Sequence, residues 1–177
     1  MKLIPALIPV ALLLAACGEE SRSAGASEET AAKAASYKVR VTFTPGAEEK
    51  LRTLGEKVTI ANMFYGLPRD GAPASASDDS GQVQLGEVMR DIAPQDQIVT
   101  IAEPTLDAAK LAHIEGKPML LINVYSARQK APDNLLNCGI FDDGLAKAEA
   151  APIEIECDLI EPEVIEHAPI VAPTDEN

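Results

Sequence analysis

Residues 37–44 read YKVRVTFT, and this stretch decides the fold. Tyr37, Val39, Val41 and Phe43 alternate with Lys38, Arg40, Thr42 and Thr44. Period two is the mark of a strand with one buried and one solvated face. The pattern returns near the other end, where Ile153, Ile155, Cys157 and Leu159 interleave with Glu154, Glu156 and Asp158. The solvated side of the first strand is basic and that of the last is acidic. Opposite charges facing one another across a strand pair contribute about 0.2–1 kcal/mol each, so the two strands are expected to be neighbours in one sheet.

Between them, residues 118–125 (PMLLINVY) are apolar on both parities and read as a central strand covered on both faces. Residues 57–65, 82–92 and 97–102 are weaker strand candidates, separated by Gly, Pro and Asp clusters. Helix is minor. Residues 44–51 (TPGAEEKL) offer a capping threonine, proline at the first helical position and acids in the first turn, which predicts a short helix ending near Gly55. Residues 106–114 are expected to add two more turns. The fold class is therefore mainly β: an antiparallel β-sandwich, immunoglobulin-like or transthyretin-like, with one or two short helices crossing between its sheets. No Trp is present to mark a true immunoglobulin core. A small open β-barrel is the alternative.

The flanks differ in composition. Residues 18–36 (GEESRSAGASEETAAKAAS) hold no aromatic and no bulky aliphatic side chain, so they cannot bury enough surface to offset ordering entropy. Segment 17–36 is expected to be a tether with a root-mean-square reach of roughly 25 Å. Segment 161–177, with Pro162, Pro169 and Pro173 among acids, is expected to be an unpacked tail, which leaves 37–160 as a single domain.

At the amino terminus, Lys2 precedes an apolar run over residues 3–16, interrupted only by Pro5 and Pro9. The run falls short of the about 20 residues that span a bilayer and reads as a signal peptide, residues 1–16. It ends in Leu14, Ala15, Ala16 and Cys17, which resembles the lipobox of bacterial lipoproteins. The resemblance implies cleavage before Cys17, diacylglycerol on its sulfur, and a mature chain held to a membrane by acyl chains at about 0.8 kcal/mol per buried CH₂. Gly18, where inner-membrane lipoproteins usually carry aspartate, implies the outer membrane, facing the periplasm.

The chain carries a formal charge of −13, and loss of Lys2 with the leader leaves 14 basic against 28 acidic residues. That balance repels nucleic acid and anionic head groups, so no nucleic-acid partner is expected. It suits solubility or a cationic partner. With Cys17 lipidated, Cys138 and Cys157 remain, and an exported chain with two cysteines usually pairs them. A structural disulfide is expected. Their spacing fits neither C-x-x-C nor a zinc ligand set.

No motif specifies a reaction. His113 and His167 are the only histidines, and no nucleophile elbow surrounds any serine, Ser126 included. Asp78 and Asp79 precede Ser80 and Gly81, and Asp142 and Asp143 precede Gly144. Both acid pairs read as turns and lack the spaced ligand series of a calcium loop. No cofactor and no metal are expected. Aromatic rings are too scarce for a sugar-stacking platform, although Tyr65 and Tyr125 stand at strand ends. Residues 126–134 are locally basic in an acidic chain, so Tyr125, Ser126, Arg128 and Lys130 form the first candidate for a partner-binding loop.

Residues 123–126 (NVYS), 137–141 (NCGIF) and 153–157 (IEIEC) are similar to uncharacterised envelope lipoproteins of proteobacteria. That resemblance implies an envelope address and no activity. Two functions are therefore weighed. One is a membrane-anchored, non-catalytic module that binds an envelope protein or cell-wall component. The other is a periplasmic hydrolase with a carboxylate or metal site drawn from Asp78, Asp79, Asp142 and His113.

Overall fold

The computed structural model describes residues 32–160. The expected leader, Cys17, most of the tether and the tail with His167 lie outside the described residues. In chain order the elements are β1 (Ala32–Lys33), β2 (Tyr37–Phe43), α1 (Pro45–Leu54), β3 (Val58–Pro68), β4 (Val83–Ile92), β5 (Gln97–Ile101), β6 (Thr105–Leu106), α2 (Ala108–Leu111), β7 (Ile114–Ser126), β8 (Leu136–Cys138), β9 (Phe141–Gly144), α3 (Leu145–Ala150) and β10 (Ile153–Leu159).

The strands form two open four-stranded sheets, ordered β5-β2-β10-β8 and β4-β3-β7-β9, with β1 and β6 as a small separate pair. Their inner faces share one core: Val39, Val41, Ile153 and Ile155 from the first sheet meet Ile60, Phe64, Leu120 and Ile122 from the second. The mainly β sandwich with short helices is thus what the alternation in β2 and β10 foretold, and no closed barrel forms among the described residues.

β2 and β10 are neighbours, Ile153 opposite Val39 through Cys157 opposite Phe43, and Arg40 Nε meets the Glu154 carboxylate at 3.0 Å. Both side chains are well exposed, so this pair contributes well under about 1 kcal/mol and serves register more than stability. The β2–β10 pair is parallel, while the remaining pairs are antiparallel. Parallel neighbours need a long connection, and here nearly the whole domain lies between the two strands.

Two of the three helices cross between the sheets. α1 carries the chain from β2 to β3. Thr44 caps it by accepting from the Ala47 N–H, Pro45 occupies the first turn, and Gly55 ends it in the left-handed region at φ 67°. α3 returns the chain from β9 to β10, burying Leu145 and Ala148.

Four expectations change. The helix expected over 106–114 is the single short turn α2, because β7 already begins at Ile114. Residues 32–36 are fastened to the domain rather than forming the end of a tether. β1 pairs with β6, the Ala34 N–H donates to the Pro104 carbonyl, Ser36 Oγ accepts from the Glu103 N–H, and the Ala35 N–H donates to Glu149. Backbone bonding does there what side-chain bulk does elsewhere. Asp142 and Asp143 lie in the edge strand β9 and not in a turn, with Gly144 at the helix cap that follows. β7 is central to its sheet, yet only one of its faces is covered: Leu120, Ile122 and Val124 enter the core, while Met119, Leu121 and Tyr125 on the other parity remain half-exposed.

One of the buried polar groups ties the two sheets together. Asn62 is fully buried; its Oδ1 accepts from the Tyr37 hydroxyl at 3.0 Å and its Nδ2 donates to the Val88 carbonyl at 2.9 Å. Burial raises the Tyr37 phenol above its ordinary pKa. The Tyr37 ring also meets Phe64 edge-on, with centroids 6.4 Å apart, so one tyrosine from the first sheet is pinned to two residues of the second. At Gly66 a Cβ would fall 2.5 Å from Ile114 Cγ2; the absence of a side chain lets β7 close onto β3.

Candidate functional site

The loop between β7 and β8 is organised by a residue outside it. Glu56 follows Gly55 at the end of α1, where its own N–H bonds back to the Leu51 carbonyl. Its side chain is 1 % exposed. Oε1 accepts from the N–H groups of Lys57 at 3.0 Å and Gln129 at 3.1 Å, and Oε2 accepts from Lys130 at 2.6 Å and Ala131 at 3.0 Å. Arg128, at φ 57°, adopts the left-handed conformation that turns successive N–H groups inward into an anion-binding nest. The occupant of that nest is the protein's own carboxylate. Burial pushes the Glu56 carboxyl up, but the N–H donors of Lys130, Ala131, Gln129 and Lys57 outweigh it and hold the group below its ordinary value.

A second anchor closes the loop. Asn134 Oδ1 accepts from the N–H groups of Ser126 and Leu136 at 3.0 and 3.1 Å, its Nδ2 donates to the Leu136 carbonyl at 2.7 Å, and the Leu135 N–H donates to Ser126 Oγ at 2.9 Å. Ser126, expected among the contact residues, is therefore fully buried and structural. The hydroxyl that composition placed on the surface is consumed by the turn. The loop shows Arg128, Gln129, Lys130, Pro132 and Asp133 to solvent. The Arg128 guanidinium lies 5.6 Å from the centroid of the half-buried Tyr125 ring, within cation–π range, and Gln129 Nε2 donates to Asp91 at 2.9 Å. Of the four sequence-chosen residues, Arg128 and Tyr125 are thus in contact, Lys130 is exposed on the same loop, and Ser126 is buried beneath it.

The catalytic candidates are engaged otherwise. Asp78 Oδ1 accepts from the N–H groups of Ser80 and Gln82 at 2.9 and 3.0 Å, the arrangement of a turn, with Gly81 at φ 79°. Hydrogen bonds from the Ser80 hydroxyl and Gln84 hold its carboxyl down at about 2. Asp142 accepts the Tyr65 hydroxyl at 2.6 Å. Gln84, which donates to Asp78, is paired across the sheet with Tyr65, so these two acids approach the same end of the second sheet while each is bound to its own donors. His113 sits between α2 and β7, and its Nδ1 is buried with no hydrogen-bond partner among the described residues. Among the described residues no group of three His, Cys, Asp or Glu side chains is placed to hold a metal, and no described helix is long and apolar enough to cross a membrane.

Tyr65 is buried, and its phenol is pushed up to about 12, first by its hydrogen bond to Asp142 and then by burial. A raised folded pKa means that the bond's contribution is fully present below the unfolded tyrosine value of about 10 and is lost as pH rises through about 12. Tyr65→Phe is expected to cost about 1.5–3 kcal/mol at neutral pH, the range for a hydrogen bond to a charged group. It should also remove the step near 12 from the phenolate absorbance titration and leave the still higher step of the buried Tyr37 in place. A titration unchanged by the substitution would contradict the assignment.

Cys138 and Cys157 form the expected disulfide, directly opposite one another on β8 and β10. On the outer face of the same sheet, Thr42, Thr44, Glu154, Glu156 and Asp158 line a shallow hollow of about 820 Å³. Its acids have local partners: Glu154 meets Arg40, and Asp158 accepts the Thr44 hydroxyl at 2.7 Å, which, with the Leu159 N–H, holds that carboxyl below its ordinary value.

No protein-family model, curated protein or solved structure matches the chain.

Proposed function

We propose that the protein is a lipoprotein of the bacterial envelope, anchored through Cys17 and facing the periplasm, whose sandwich acts as a non-catalytic binding module for an envelope protein or cell-wall component. The observation that carries the reading is the loop between β7 and β8. A buried carboxylate is dedicated to holding Gln129, Lys130 and Ala131 in place, while Arg128 over Tyr125 and the exposed Lys130 are presented outward from an acidic chain. A preordered surface loop binds without having to meet ordering entropy at the moment of contact. Lipidation and export are supported by the leader and by a disulfide that suits an oxidising compartment.

The test uses the full chain in its own envelope, with a photocrosslinking side chain at position 130. The expected result is a mature chain acylated at Cys17 by mass spectrometry and a discrete crosslinked species that disappears with Arg128→Ala. An unacylated chain in the soluble fraction, or crosslinking indifferent to Arg128, would overturn the proposal.

A further inference from the structure

The outer face of the second sheet is not the polar surface that a two-layer sandwich usually turns to water. Strand register places its residues in rows. Met63 on β3 lies between Glu87 on β4 and Leu121 on β7, with Asp142 on β9 beyond. Ala61 lies between Met89 and Asn123, and Tyr65 between Gln84 and Met119. Met63, Met89 and Met119 are therefore on one face, joined by Leu121, with the Tyr65 hydroxyl reaching across β7 to Asp142. Met89 is 54 % exposed and Met63, Met119 and Leu121 are half-exposed, while Ala61 and Tyr65 between them are buried, so the part of the face that meets solvent is these four apolar side chains. Unbranched thioether side chains adapt their shape to what they meet, which is why methionine is favoured on surfaces that accept apolar partners.

Charge narrows the occupant. The carboxylates set among these apolar residues, Glu87 and Asp142, are exposed, on a chain of formal charge −13. At one margin a hollow of about 370 Å³ is lined by Met63, Gln84, Leu85, Gly86 and Glu87, with Asp107 and Lys110 on its far wall, where the Lys110 ammonium lies 3.8 Å from the Asp107 carboxylate. It has room for one long side chain whose stem lies on Met63 and whose cation ends at Glu87. We propose that the β4-β3-β7-β9 outer face docks an amphipathic cationic segment of another protein, apolar anchors on the methionines and Lys or Arg on the acidic rim. The inference rests on the reading of the domain as a binding module; the β7–β8 loop borders the far end of the same face, where Arg128 lies over Tyr125 and Gln129 meets Asp91, so the docking site proposed here is the part around Met63, away from that cation.

The probe is a synthetic 18-residue amphipathic Leu/Lys helix, titrated against the full chain carrying ¹³C-methyl methionine, with a Leu/Glu helix of the same length as counterpart. The expected result is saturable binding to the Leu/Lys peptide, at least tenfold weaker for the Leu/Glu peptide, with the methyl resonances of Met63, Met89 and Met119 moving together. Glu87→Lys and Met89→Ser should each weaken binding about tenfold. Glu156→Lys, which makes the same charge change on the opposite sheet, should weaken it less than twofold. Equal losses from Glu87→Lys and Glu156→Lys would reduce the effect to bulk charge and overturn the inference. So would a self-associated chain in sedimentation that Met89→Ser returns to monomer, because a second copy would then be the occupant. Absence of peptide binding alongside a partner crosslinked at position 130 overturns this inference alone and leaves the binding-module reading standing.

Discussion

Glu56→Ala is expected to lower the unfolding free energy by roughly 3 kcal/mol at neutral pH and to release the loop between β7 and β8. Three loop N–H groups, those of Gln129, Lys130 and Ala131, have the Glu56 carboxylate as acceptor. An abandoned buried donor costs about 1–3 kcal/mol, so three at the lower end of that range give the figure. The wild-type contribution also depends on pH with a definite sign. The folded carboxyl titrates below its ordinary 4.5, so its stabilisation is fully present above that value and is lost as pH falls through the lower, folded value. Glu56→Ala should accordingly be destabilised against wild type at pH 7, and the gap should narrow as both are acidified. Glu56→Gln should fall between them, because one carbonyl oxygen remains to accept while the amide nitrogen faces donors. Denaturant unfolding gives the energies, and amide hydrogen exchange at positions 129–131 gives the local opening. Equal stability of Glu56→Ala and wild type at pH 7, with unchanged protection of those amides, would show that water satisfies the nest as well as the carboxylate does.

Nothing near Glu56 in the sequence announces this role. It is a lone acid between Gly55 and Lys57, and its loop partners lie 73 to 75 positions away. The elements legible in the sequence are those whose physics is local. β2 and β10 show alternation because each has one face in the core, and α1 shows its cap, its proline and its terminal glycine because those act within a few residues. β8 and β9 are three and four residues long, too short for a period to register, and Asp142-Asp143-Gly144 has the composition of a turn although neighbouring β7 draws it into a strand. α3 starts at a glycine without a side-chain cap, so its start carried no signal. Ser126 opens a locally basic stretch that reads as a contact surface, whereas Asn134, eight positions on, supplies its partner inside.

The apolar run 118–125 was ambiguous in a more instructive way. Leu, Ile and Val on one parity and Met, Leu and Tyr on the other read as burial on both faces, since sequence hydrophobicity does not distinguish a core from a docking surface. The two parities nonetheless differ in kind. The core-facing side chains Leu120, Ile122 and Val124 are branched and rigid, while Met119 on the outer side is the most adaptable apolar residue available. The polar Asn123, exposed on the outer parity, is the residue of the run that separates the two faces.

Removal of the Cys138–Cys157 bond, by reduction or by Cys138→Ala with Cys157→Ala, is expected to cost about 3 kcal/mol, the loop-closure entropy for a bridge between residues 19 positions apart. The enclosed segment contains β9 and α3, which cross to the second sheet and return. β8, in turn, is held to β10 by the pairs at Cys138, Asn137 and Leu136, with one further backbone bond at either end, Gly139 N–H to the Glu156 carbonyl and Ile160 N–H to the Leu135 carbonyl. Without the bond, β8 depends on that short ladder and on the burial of Leu136, so the effect should appear locally as faster exchange at residues 136–138 as well as globally in the denaturation midpoint. An unfolding midpoint unmoved after complete reduction, verified by thiol titration, would mean that the ladder alone suffices. β8 is also where the loop from Ser126 lands, through Asn134 and the Leu136 carbonyl. The disulfide therefore steadies one end of the loop that Glu56 steadies at its middle. Two supports of one structural unit couple when both are removed, so Glu56→Ala in the reduced protein should lose less than the sum of the separate losses. Simple additivity would instead mean that the nest and the β8 hinge are independent, and that the loop's presentation of Arg128 and Lys130 survives the loss of either one.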